Sequence, residues 1–215
     1  MLVLTVVTGL VDAVSFLALG HVFVANMTGN VVFLGLAAAG AAEVSALTSA
    51  VAIGAFLVAG IIGGRIARHA SHRGHVLATA TAVETILVTA AVLVALTFAG
   101  EPARTTMIAL LSFAMGLQTA AARALAIPDM QTTILTMTLT GLAADSPLAG
   151  GTGARRGPRL AAILAMLAGA CLGALLTLKL SVVPALIAAA LLLAVAALLA
   201  HRLSAAPQAE AWTRR

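Results

Sequence analysis

The chain has no tyrosine, one tryptophan and one cysteine, and only 9% of its 215 residues are Asp, Glu, Lys or Arg. A soluble domain carries about 25% charged residues, so this composition excludes one. Hydrophobic residues make up 62% and mean hydropathy is +1.13, values that fit a chain solvated by lipid. One cysteine excludes an internal disulfide; Cys171 lies in an apolar run and reads as a small core residue. With 3% aromatic residues the chain has few surfaces on which bases could stack, so the pI near 11.4 does not indicate a nucleic-acid partner. Its cations sit in short loops beside apolar runs, which is the pattern of positive-inside membrane topology. The bilayer is the expected partner.

Catalytic and metal signatures are also missing. There is no GxSG, no HExxH and no Asp-rich motif. His69, His72 and His75 recur every three residues, but Arg65, Arg68 and Arg73 surround them and oppose a divalent cation, so they read as a solvated cytoplasmic loop. No metal, no cofactor and no enzymatic activity are expected. The N-terminus lacks the basic region of a signal peptide and carries Asp12 within its first apolar run, so that run reads as a retained helix. Its abrupt apolar start suggests that a few polar residues precede it in the full protein.

Runs of about 20 apolar residues predict spans at Leu2 to Leu19, Leu47 to Gly64, Val76 to Ala99, Thr105 to Ala124, Leu160 to Leu180 and Val183 to Ala200. His21 to Gly40 and Asp129 to Asp145 are apolar but interrupted by Asn, Thr and Gly, and read as broken or re-entrant segments. The expected architecture is an all-α integral membrane protein with six transmembrane helices and two such segments. It forms one polytopic domain over 1–203, with repeat one about 1–100, repeat two about 101–203, and a cytoplasmic tail at 204–215. With both broken segments treated alike, ten of the twelve Lys and Arg fall on one side, and only Arg104 and Lys179 on the other. That places both termini in the cytoplasm.

The halves echo each other. Gly9-Leu10 with Ala13 matches Gly116-Leu117 with Ala120; Thr28-Gly29-Asn30 matches Thr136-Met137-Thr138; Gly60-x-x-x-Gly64 matches Gly169-x-x-x-Gly173. A three-span repeat must invert its second copy, giving a 3+3 inverted repeat with a site where the copies meet. The glycine pairs would let helices pack backbone to backbone, joining the repeats or two protomers of a homo-oligomer.

Two polar runs interrupt the apolar chain at corresponding places, Asn26 to Asn30 and Thr132 to Gly141. Irregular, amide-rich backbone survives in hydrocarbon only where it is buried in protein or lines a cavity, so the pair marks a path or pocket. Asn26, Thr28, Gly29 and Asn30 suit a helix start or tight bend; Thr132, Thr133 and Thr136 form the second break. Asp12 shares a helix face with Thr5, Thr8 and Ser15. It either handles a proton or ion, or holds a neighbouring helix or the amides of the Asn26 break. Glu84 is the second intramembrane acid, with Thr81, Thr85 and Thr89 nearby in sequence; it either changes protonation state or hydrogen-bonds locally. Gln118 and Thr119 occupy the matching part of the fourth span, where an amide needs partners, and Arg123 snorkels from its cytoplasmic end. The expected pathway set is Asp12, Ser15, Asn26, Thr28, Gly29, Asn30, Glu84, Gln118, Thr119, Thr132, Thr133 and Thr136.

The stretch Thr8-Gly9-Leu10-Val11-Asp12-Ala13-Val14-Ser15-Phe16-Leu17, then Val22-Phe23 and Asn26-Met27-Thr28-Gly29-Asn30, resembles the YoaK family of bacterial membrane proteins, a domain family of unknown function. Met115-Gly116-Leu117-Gln118 and Thr132-Thr133 resemble its second signature, although the family usually reads Thr-Gly where this chain has Thr136-Met137. The resemblance implies a multi-pass protein of the bacterial inner membrane and names no substrate. The residues themselves favour a secondary transporter or channel for a small polar solute or ion, with Asp12 or Glu84 coupling protons. The alternatives are an intramembrane enzyme acting on a lipid or isoprenoid, and a non-transporting accessory protein.

Overall fold

A computed structural model describes residues 1–69, 73–125, 135–153 and 156–204. Those residues form eight α-helices: α1 Leu2–Ala18, α2 Met27–Ala38, α3 Ala46–His69, α4 Arg73–Thr97, α5 Glu101–Leu125, α6 Leu135–Ala144, α7 Arg156–Lys179 and α8 Val182–Ser204. A 3-10 turn at Pro147–Ala149 precedes α7. Five helices, α3, α4, α5, α7 and α8, are long and apolar enough to cross a membrane. α1 has 17 residues, about 25 Å at 1.5 Å per residue. α2, with 12 residues, and the ten described residues of α6 reach only about 18 and 15 Å, against a hydrocarbon core of about 30 Å. Apolar side chains such as Leu57, Ile86, Leu93, Leu164, Leu175 and Leu191 are exposed on the outer faces, as lipid contact requires.

Helix directions follow from which ends meet. The carboxyl ends of α1 and α4, at Ala18, Leu19 and Ala95 to Ala99, share a cleft of about 270 Å³ with the amino ends of α5 and α8, at Ala103, Met107, Val182 and Val183. At the opposite face Ala67 of α3, Val76 of α4 and Ala121 of α5 pack together. α1, α4 and α7 therefore run toward the cleft, and α3, α5 and α8 run away from it. α1 and α3 are thus opposed, as are α5 and α7.

The tightest packing is between parallel helices. α1 lies along α7 and α3 along α5, while α4 packs on α5 and α8, and α8 on α1. Small residues make the parallel pairs possible. A Cβ on Gly9 would collide with the Met166 carbonyl of α7, one on Gly169 with the Val6 carbonyl, and one on Gly173 would lie 2.5 Å from the Leu10 oxygen. In the other pair, a Cβ on Gly116 would lie 2.5 Å from the Phe56 oxygen and one on Gly63 would lie 2.7 Å from the Ala120 Cβ. This corrects half of the glycine reading. Gly60 and Gly64 face open space, and the seam on α3 is formed by Ala59 and Gly63, both buried. A four-residue spacing identifies a stripe, but neighbouring helices decide which of several small-residue stripes is used.

Candidate functional site

The site begins on α1. Thr5, Thr8, Asp12 and Ser15 are all buried on one face, as their spacing requires. The Thr8 hydroxyl donates to the Leu4 carbonyl at 2.9 Å, and the Ser15 hydroxyl donates to the Asp12 carbonyl at 3.1 Å. After α1 the chain turns through Gly20 and His21, both at positive φ, and returns along its own helix. The Val24 and Ala25 amides then donate to Asp12 Oδ1 at 2.9 and 2.8 Å. Backbone that has left its helix would otherwise strand these donors in an apolar interior. Asp12 thus holds the amides of the first break, one of the roles its position suggests.

Asn26 caps α2, its Oδ1 accepting from Gly29 N at 3.4 Å. Asn30, fully buried, grips the backbone of Phe23 from both sides: Oδ1 accepts from Phe23 N at 2.9 Å and Nδ2 donates to Phe23 O at 2.6 Å. Gly29 lies against the Phe23 ring, where a Cβ would approach within 2.6 Å of Cδ2. The rings of Phe16, Phe23 and Phe33 stack in series at 5.3 and 5.7 Å, with His21 edge-on to Phe16 at 5.1 Å. The N-M-T-G-N run is therefore a helix start braced by an aromatic stack.

These elements line a half-open cavity of about 220 Å³ formed by Thr8, Asp12, Ala25, Asn26, Leu135, Thr136, Leu139 and Met166. Both breaks reach it, the first through Ala25 and Asn26 and the second through the start of the described part of α6. Gln118 reaches it indirectly, its Nε2 donating to Thr8 Oγ1 at 2.8 Å. Asp12, Asn26 and Thr136 of the expected set lie on the wall. Ser15, Thr28, Gly29, Asn30, Glu84 and Thr119 do not. Asn30 is spent on Phe23, Gly29 on close packing and Ser15 on its own helix, while the buried Thr119 hydroxyl has no hydrogen-bond partner among the described residues. Thr132 and Thr133 lie outside the described residues.

Glu84 is fully buried midway along α4, with no hydrogen-bond partner for either carboxyl oxygen among the described residues. The nearby hydroxyls of Thr81, Thr85 and Thr89 each donate to a carbonyl four residues back rather than to it. Arg123 is exposed in the last turn of α5, as snorkelling requires.

One element was not foreseen. Arg159, placed by the sequence among loop cations, is buried at the start of α7. Its Nη1 donates to the Gly141 carbonyl and to Asp145 Oδ2, both at 2.6 Å. This pins the carboxyl end of α6, where a cation is favoured, and Gly141 leaves room for the guanidinium. Among the described residues no cluster of three or more His, Cys, Asp or Glu could hold a metal ion.

Long apolar helices around a polar, helix-interrupted cavity define a multi-pass integral membrane protein. Residues 1–199 match a family of proteins of unknown function, DUF1275, and the chain belongs to that family. It is 35% identical over 144 residues to the UPF0700 transmembrane protein YoaK of Bacillus subtilis (strain 168), across 66% of this chain and 64% of that protein. No solved structure matches it.

Proposed function

We propose that the protein is a secondary transporter or channel of the bacterial inner membrane, passing a small polar solute or ion through the cavity at Asp12. The observation that carries this reading is that both breaks and an intramembrane acid line one cavity. Discontinuous helices meeting near the middle of a bundle are how membrane proteins expose backbone and polar side chains to a solute.

An inverted 3+3 repeat with six crossings, α1, α3 and α4 against α5, α7 and α8, fits the packing. Exchanging the halves turns the α1–α7 pair into α5–α3, which is the other parallel pair, and turns α4–α5 into α8–α1, which also pack. The seam residues follow the same exchange: Gly9 corresponds to Gly116, and Ala59 and Gly63 correspond to Gly169 and Gly173. α2 and α6 are then re-entrant, entering from opposite faces. The cation bias puts both termini in the cytoplasm, and one of the two buried acids couples flux to protons.

Reconstitution into proteoliposomes tests this. Uptake screened over small polar solutes and ions, with and without a proton gradient, should find at least one that the protein moves and that Thr136→Leu and Asn26→Leu block by filling the cavity. Correctly folded protein that moves nothing, protons included, overturns it.

A further inference from the structure

Glu84 and Asp12 are both buried acids, and their surroundings differ in kind. Asp12 is met by two backbone amides at hydrogen-bond distance. Glu84 is 0% exposed, and among the described residues neither Oε1 nor Oε2 has a hydrogen-bond partner. Ser112 of α5, also fully buried, likewise leaves its Oγ without a hydrogen-bond partner among the described residues. α4 packs on α5 and α8 and touches α3. The charged and titratable groups described on these helices lie toward their ends: Arg65, Arg68 and His69 on α3, Glu101, Arg104 and Arg123 on α5, His201 and Arg202 on α8. On α4 itself His75 lies nine residues before Glu84, about 13 Å along the axis. Among the described residues Glu84 thus meets neither a hydrogen-bond donor nor a cation, and burying an ionised carboxylate so costs several kcal/mol. A proton is the one ligand that removes this cost without needing space.

We propose that Glu84 is a proton-binding site separate from the solute cavity, and that Asp12 instead serves as the fixed acceptor of the first break. The carboxylate takes up one proton to give the neutral acid, and releases it when α4 shifts against α5 and α8 and admits water. The proton is then the coupling ion, a purpose that rests on the transport reading. The existence of the site does not.

Infrared spectroscopy of the purified full chain in lipid nanodiscs reads the site directly, because a neutral carboxylic acid has a carbonyl stretch distinct from that of a carboxylate. At neutral pH the band is expected in the unmodified protein, is expected to shift on transfer to heavy water, and is expected to lose one carboxyl's amplitude in Glu84→Gln. Circular dichroism and thermal unfolding of Glu84→Gln check that the variant folds, and Glu84→Leu serves as a second variant without an amide. A band of unchanged amplitude in both variants overturns the proposal, as does the absence of any band. Proton-driven flux is measured separately: a Glu84 band in a protein without flux keeps the site and removes transport, whereas flux in a protein without the band removes the site and keeps transport.

Discussion

The Gln118 amide and the Thr8 hydroxyl meet at 2.8 Å between α5 and α1, 110 positions apart in sequence and both buried. The bond ties the two halves together directly behind the cavity wall. Hydrogen bonds between membrane helices average about 0.6 kcal/mol and reach about 1.7 kcal/mol. A double-mutant cycle of Thr8→Val and Gln118→Leu, followed by thermal unfolding in detergent, is expected to give a coupling energy in that range. Additive single effects would show that the bond contributes nothing.

The parallel seams predict an asymmetry among glycines of the same sequence motif. Gly169→Ala and Gly173→Ala place a methyl against α1 backbone and are expected to destabilise by about 1 to 3 kcal/mol, the usual cost of overpacking. Gly60→Ala and Gly64→Ala meet nothing and are expected to be neutral or slightly stabilising, since alanine is the better helix former. Unfolding midpoints of the four variants decide the matter; equal losses would place the α3 seam on the wrong face.

Asp12 is expected to hold the first break through its acceptor oxygen. In Asp12→Leu the Val24 and Ala25 amides lose that acceptor, and their hydrogen exchange should rise at least about tenfold, equivalent to about 1.4 kcal/mol. Asp12→Asn keeps a carbonyl oxygen in place, so its effect should be clearly smaller. Equal exchange in the two variants would show that shape, rather than hydrogen bonding, anchors the segment.

Arg159 is expected to secure α6 without influencing α2. Arg159→Leu removes the donor to Gly141 O and Asp145 Oδ2, and exchange across Leu135–Ala144 should accelerate while Met27–Ala38 keeps its protection. Arg159→Lys should rescue only in part, because a single ammonium cannot reproduce the planar fork of donors. A uniform loss of protection would indicate global destabilisation.

How much the sequence reveals depends on which physical term fixes each feature. The six apolar runs lie within the six longest helices to within a few residues, because hydrocarbon demands length and composition. Asp12 and Asn26 are legible because polar groups in lipid need a reason to be there. The choice of Ala59 and Gly63 over Gly60 and Gly64 is not legible, because the face a helix presents is set by its neighbours in a chain rich in small residues. The Asn30 grip on Phe23 closes over seven residues through the non-helical stretch that leads into α2, which no periodic pattern marks. Arg159 reads as a loop cation because its partners, Gly141 and Asp145, lie 18 and 14 residues away, across the turn before α7.

The central claim, that both breaks line a path reached by water inside the membrane, is tested most directly by thiol accessibility. Cys171 is replaced by serine, and single cysteines are placed at Asn26 and Thr136 on the cavity wall and at Leu167 and Leu191 on exposed apolar faces. Thiolates, which form in water and not in hydrocarbon, attack charged methanethiosulfonate reagents to give a mixed disulfide with loss of methanesulfinate. The account predicts that Asn26→Cys and Thr136→Cys react in intact membranes while Leu167→Cys and Leu191→Cys do not. Two cavity positions as inert as the lipid-facing ones would contradict it.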